Sequence, residues 1–334
     1  MAAPVRQHKY FIITGVFVAL AFLVCLQIGR FPITTGEIFS LLTHSGDVDP
    51  LTRSVFFNLR LPRTVMALLA GAGLGLSGSV FQLVFRNPLA APDIVGVSSG
   101  ANLGAAVAIV MFGQSAAVMA SLAFGGGMLV LFLVMFVARL SRNPGTVTYI
   151  LAGIVMRALS DALIMILRFF ADPARELAAI EFWAMGSLGN ITMSNLITVL
   201  PFFMVGFIGL LLLRRQIVML GLEDDEAKTL GVRLKSIRLL VLALASLLVA
   251  SLVSQTGLIA FAGLIAPHAA RLALRRISFA WCMLSALMGA FILLVADSFA
   301  RGLTALEIPI SVPTTLLGVP VLLYFMWRRK TGNV

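Results

Sequence analysis

Long apolar runs, repeated ten times, are the feature that most constrains what this chain can fold into. They lie near 10–28, 64–84, 92–112, 116–138, 146–169, 195–213, 237–255, 257–274, 279–300 and 310–327, and each is about the 20 residues a helix needs to cross a bilayer. Of the 334 residues, 60% are apolar and 12% charged, against about 25% charged in an ordinary soluble domain. A water-soluble fold is excluded. The predicted fold class is all-α: a polytopic membrane protein of about ten transmembrane helices, forming a single domain over 1–334.

Charge then orients the runs. Lys and Arg number 25 against 14 Asp and Glu, a net +11 that in a soluble chain would point to nucleic acid. In a polytopic chain the same excess marks the cytoplasmic loops. With the N-terminus inside, 17 basic residues fall inside and 7 outside, leaving Arg157 within a span. The chain is therefore expected in the cell (inner) membrane, surrounded by lipid, with no nucleic-acid partner. Both termini (1–9 and 328–334) and a loop at 214–238 are expected to be cytoplasmic. The basic segment Met1 to Tyr10 precedes an apolar run longer than the core of a cleavable signal peptide, so this run reads as an uncleaved first span. Cys25 and Cys282 lie in apolar stretches with no disulfide, redox or zinc spacing, and both are expected to pack as small apolar side chains.

Runs two, three and eight are rich in Gly, Pro and Ser, as expected where helices are broken or packed around a cavity. Gly71, Gly73, Gly75 and Gly78 suit close helix packing. Outside, 29–62 carries turn signals compatible with short surface helices, and 168–195, with Trp183, is expected at the interface. Inside, Gly221 and Gly231 bracket a predicted two-turn amphipathic helix. Glu223, Asp224, Asp225 and Glu226 load its N-terminal end, and Ala227, Lys228 and Leu230 follow. It is either a solvated surface helix or a docking helix that transmits motion from a cytoplasmic partner. Arg233, Lys235 and Arg238 flank it, placed to pair with that partner or with lipid headgroups.

Catalytic and cofactor motifs are missing. The sequence has no GxxxxGKS/T, HExxH or GxSxG and no ligand-spaced cluster of His, Cys and carboxylates, so neither an enzyme nor a cofactor in this chain is expected. His268 reads as structural. The 15 methionines read as packing. Arg157 and Asp161, four apart in the fifth run, share a helix face where charge is expensive. They form either a mutual pair buried between helices or part of a translocation path on which Arg157 favours an anionic load.

Several motifs then occur in order: Arg60-Leu61-Pro62-Arg63, Arg86-Asn87-Pro88-Leu89 continuing to Ala101, Trp183 to Leu188, the glycine-bracketed inner loop, Gly263 to Arg271, and Ala296-Asp297 through Arg301 to Glu307-Ile308-Pro309. Together, from about Arg60 to Arg329, they resemble the FecCD-type permeases, the ten-helix membrane subunits of ABC importers for iron-siderophores, cobalamin and haem. The resemblance implies a type II importer permease fold and a second copy or paralogue of this subunit. It also implies two cytoplasmic ATP-binding subunits carrying ATP and Mg, and an extracytoplasmic substrate-binding protein. Arg60, Arg63 and Arg301 match the outer arginines that receive carboxylates from the binding protein, with Asp297 placed to orient Arg301. Asn87, Pro88 and Leu89 match the inner gate, and Thr146, Val147 and Thr148 match a second constriction by position. Gly221 to Gly231 match the coupling helices. The expected cargo is a ferric siderophore; cobalamin, haem or an oxyanion is the alternative. From other classes, an ion-driven transporter would need Asp161 as its midplane carboxylate, and a channel would need a filter motif that is missing.

Overall fold

The computed structural model describes residues 3–43, 48–141, 145–222, 234–274, 276–303 and 307–330. Within them all regular structure is helical. Helix α1 (Ala3–Gln27) is followed by α2 (Thr35–Thr43) and α3 (Pro50–Val55), the short surface helices that the turn signals predicted. A capping box opens α2: the Thr34 N–H donates to Glu37 Oε2 at 2.7 Å and the Glu37 N–H to Thr34 Oγ1 at 3.3 Å. The Thr34 N–H, together with the Thr34 hydroxyl that also donates to Glu37 Oε2 at 2.8 Å, holds the Glu37 carboxyl below the usual carboxylate range. Asp49 caps α3 through the Thr52 N–H at 3.3 Å. A π-helical turn, Phe56–Arg60, carries α3 into α4 (Leu61–Val84), so the second span begins well before residue 64.

A 3₁₀ turn at Pro92–Val95 precedes α5 (Val97–Phe112), which pairs with α6 (Ala116–Leu140). Then follow α7 (Thr146–Phe170), α8 (Ala178–Met185), α9 (Met193–Leu212), α10 (Arg214–Leu220), α11 (Leu234–Thr256), α12 (Ala262–Ala273), α13 (Phe279–Gly302) and α14 (Ser311–Lys330). Among the described residues, seven helical stretches are long and apolar enough to cross a bilayer, and Val97–Phe112 and Ser311–Tyr324 are shorter apolar helices. The eighth predicted span keeps only the 12 residues of α12, about 18 Å at 1.5 Å per residue. Residues 92–96 and 257–261 complete what α5 and α12 leave uncrossed. Irregular backbone at membrane depth is tolerated only where protein buries it or it lines a cavity; Pro92, Val95 and Gly257 are buried, and Asp93 and 258–261 line the cavity described below.

Two layers result. Helices α4, α11 and α13 are mostly buried, while α1, α6, α7 and α9 turn apolar faces such as Phe17, Phe132, Ile154 and Ile197 outward. Glycine makes the inner layer possible. A Cβ on Gly71 would strike the Gly289 carbonyl, one on Gly75 the Ser285 carbonyl and one on Gly78 the Gly263 carbonyl. Backbones therefore meet directly along α4 against α13 and α12, and dispersion packing replaces the hydrophobic drive that lipid does not supply. Gly206 and Gly209 of α9 admit Leu244 and Leu248 of α11 in the same way.

Two expectations need correction. Arg238 does not lie at the membrane surface for lipid or a partner: it is 2% exposed within the first turns of α11, because that helix starts earlier than its apolar run. Cys25 is buried as expected but is not merely apolar packing, since its thiol joins the polar cluster described below.

Candidate functional site

A cavity of about 550 Å³ opens on one side of the subunit. Three helices begin at its wall: α5 with Ser98 and Ser99, α12 with Phe261 and Gly263, and α14 with Ser311. Each helix start carries roughly half a positive charge on unbonded N–H groups. The backbone between them is tied across three chain segments. Ser187 N–H donates to Thr256 O at 2.7 Å, Ile310 N–H to Gly186 O at 3.0 Å and Ser311 Oγ to Leu258 O at 2.9 Å. Gly186 (φ 71°) and Gly257 (φ 68°) approach so closely there that a Cβ on Gly257 would strike Trp183 O. Phe261 holds φ 63° without being glycine, a strained conformation at the cavity edge.

Arg157 and Asp161 line the same cavity. Their side chains are 61% and 48% exposed, and Arg157 Nε lies 3.7 Å from Asp161 Oδ2. The i,i+4 spacing does bring them to one face as a mutual pair, and within the single subunit that face is exposed rather than covered by another described helix. Asp93, Ser98 and Asn102 complete the polar wall; Asn102 Oδ1 is buried and makes no hydrogen bond among the described residues. Ser98, 8% exposed, belongs to the first turn of α5. The cavity thus combines one guanidinium, two carboxylates and three helix starts on a largely apolar surface.

At another site the three outer arginines gather around the C-terminal end of α1. Arg60 donates to the carbonyls of Ile28 and Phe31. Arg63 donates from Nε to Asp297 Oδ1 at 2.9 Å and from Nη1 to both Glu307 oxygens at 2.8 and 2.9 Å. Arg301 Nη2 meets Asp297 Oδ2 at 2.9 Å, Cys25 O at 2.9 Å and Cys25 Sγ at 2.6 Å. Asp297 is wholly buried and shared by two guanidinia, whereas the Glu307 side chain is 37% exposed. A buried carboxylate between two cations is stable only as a complete set. The spacing of Asp297 and Arg301 predicted their pairing; the seat of Glu307, quoted only within a motif, was not foreseen, although it is an outer carboxylate soon after Arg301 in sequence.

The inner positions have simpler geometry. Asn87 Oδ1 accepts the Leu89 N–H at 2.9 Å and Asn87 O the Ala90 N–H at 3.0 Å, so Pro88 and Leu89 are fixed in an Asx turn with Leu89 exposed. Thr146, Val147 and Thr148 form the first turn of α7, where Val147 is exposed and Thr146 Oγ1 is buried without a hydrogen bond among the described residues. Gly153, two turns on, packs on the Ile94 carbonyl, joining α7 to the turn that follows Leu89. Gly221 ends α10. The remaining expected coupling residues, Glu223, Asp224, Asp225, Glu226, Ala227, Leu230 and Gly231, lie outside the described residues.

The fold is that of a multi-pass helical membrane protein with a cavity, largely apolar but with charged residues in its wall, open on one flank. The model of the FecCD transport family matches residues 17–328, and the chain belongs to that family. It is 36% identical over 318 residues to the molybdate import system permease protein MolB of Haemophilus influenzae, covering 93% of each chain. It is 36% identical over 284 residues to the hemin transport system permease protein HmuU of Yersinia pestis, covering 82% of each. A solved chain described as a metal-chelate type ABC transporter in an inward-facing conformation superposes with a TM-score of 0.86 at 34% identity, covering 96% of this chain and 99% of that one. The protein is thus an ABC importer permease subunit, not itself an enzyme.

Proposed function

We propose that this subunit forms half of a gated path for a ferric chelate, delivered by an extracytoplasmic binding protein and driven by two cytoplasmic ATPase subunits that carry the ATP and Mg. The observation that carries this reading is the cavity: its volume of about 550 Å³ lies in the range that holds a chelate-sized ligand, and it is far larger than a bare oxyanion needs. Arg157 and the three helix starts favour negative charge on that cargo, with Asp93 and Asp161 offsetting part of the effect. The open face is completed by a second copy or a paralogue. Arg60, Arg63 and Arg301, only 6%, 7% and 7% exposed and held by partners within this subunit, form a seat on the outside that opens when the binding protein docks; Asn87, Pro88 and Leu89, with Thr146 to Thr148, form the inner gate; and Gly221 to Gly231 form the contact with the ATPase. Both termini lie in the cytoplasm. An oxyanion cargo is the second reading, favoured by the molybdate permease that the chain matches over 93% of its length.

The test is gentle purification from native membranes, mass spectrometry of what copurifies, and uptake assays in a strain lacking the chain. An ATPase with a Walker A motif, a copurifying binding protein and ATP-dependent uptake of an iron-55 chelate are expected. Uptake of molybdate alone would select the second reading. Uptake that persists without ATP and collapses with the proton gradient would overturn both and turn attention to Asp161.

A further inference from the structure

The outer arginine cluster has an internal asymmetry. Arg63 is held by two carboxylates, and they are not equivalent. Asp297 is wholly buried on α13 and also neutralises Arg301, so removing it would strand two guanidinia in a dry site. Glu307 has a side chain 37% exposed, follows α13 outside any helix, and among the described cations is seen to pair with Arg63, through both of its oxygens at 2.8 and 2.9 Å. A carboxylate in that position can leave for water at modest cost, because the exposed member of an ion pair recovers its hydration. The seat it vacates would be a guanidinium already oriented by Asp297, suited to bidentate pairing with another carboxylate.

We propose that Glu307 occupies, in the free subunit, the seat that a carboxylate of the binding protein takes on docking, so that docking exchanges one carboxylate for another. The proposal rests on the docking role given above to Arg63. The exchange has a mechanical output. Segment 307–310 is tied by Ile308 N–H to Ala300 O at 3.2 Å and by Ile310 N–H to Gly186 O at 3.0 Å, and Gly189 lacks the Cβ that would crowd Glu307 Oε2. Met185 and Ser311, which flank these ties, line the cavity. Release of Glu307 therefore loosens one rim of the cavity at the moment cargo is presented. It also makes docking selective for an acidic partner, since an uncharged surface cannot replace the carboxylate that leaves.

The experiment uses the permease with its ATPase subunits in lipid nanodiscs and, as probe, the binding protein that copurifies with them. Glu307→Gln keeps the shape and one hydrogen bond to Arg63 but removes the competing charge. It is expected to tighten binding about tenfold, within the usual span of coupling between sites. Glu307→Asp, too short for the bidentate contact, is expected to tighten it by a smaller factor and serves if the Gln variant does not assemble. Arg63→Ala is expected to weaken binding at least tenfold. Were Glu307 a structural brace, both Glu307 variants would weaken docking or leave it unchanged. That result, with Arg63→Ala still weakening it, overturns the exchange while leaving the docking role standing. If Arg63→Ala has no effect, the docking role itself fails and the exchange with it.

Discussion

Arg157 and Asp161 show why a single residue must be judged by its surroundings as well as by its spacing. The sequence predicted correctly that they share a helix face, but whether that face is buried depends on which helices reach it, and here none of the described helices does. Their roles in cargo passage separate by sign. If Arg157 attracts an anionic chelate, Arg157→Gln should lower its uptake about tenfold, the equivalent of about 1.4 kcal/mol, with ATPase copurification unchanged. Asp161→Asn should leave uptake unchanged or raise it, since it removes an opposing charge. Equal losses in both variants would mean that the pair only braces α7. Cys25 gives the complementary case: hydropathy made it an inert core residue, but a guanidinium 276 residues away reaches its thiol.

At the scale of elements, the broken helices were readable and their boundaries were not. Gly, Pro and Ser in runs two, three and eight announced irregular packing around a cavity; run two is an unbroken helix, but run three holds a 3₁₀ turn and left-handed Gly96, run eight left-handed Gly257 and Phe261, and each of these two a helix start. Hydropathy could not locate Val97 or Ala262 as the helix starts, because an irregular segment packed in protein is as apolar as the helix it interrupts. Likewise Asn58 and Arg60, set within Phe56–Arg60, hid a turn that simply continues α4 toward α3. The glycine seam was legible residue by residue. Gly78→Leu, which drives a side chain into the Gly263 carbonyl, should cost about 1–3 kcal/mol or more by overpacking, read as a lower unfolding temperature in detergent. Gly125→Ala, with nothing within 4 Å, should be neutral or stabilising by about 0.5–1 kcal/mol. Equal effects from both would mean that the seam contributes nothing to stability.

For the whole molecule, the all-α membrane fold and the transport class followed from apolar periodicity and motif order, whereas of the ten expected spans seven are full-length helices among the described residues, and the site could be listed only as residues without their partners. The open flank of α7 combines exposed Leu151, Ile154, Val155 and Leu159 with Arg157 and Asp161, a mixture that lipid alone does not solvate well. A cysteine placed at Leu159 should therefore cross-link two permease subunits in native membranes, while one at Phe132, on the outward face of α6, should not. The reverse pattern would move the subunit interface away from the cavity. One further consequence comes from α4. Its 24 residues run unbroken from the seat of Arg63 almost to the Asn87 turn, a length of about 36 Å. Because backbone lies on backbone along its sides, the helix can pivot but has little freedom to bend, as a lever does. A tilt of about 3° at the Arg63 end moves the opposite end by about 2 Å at that length, so, on the roles proposed above for Arg63 and Asn87, a small docking movement would reach the gate in a single rigid stroke.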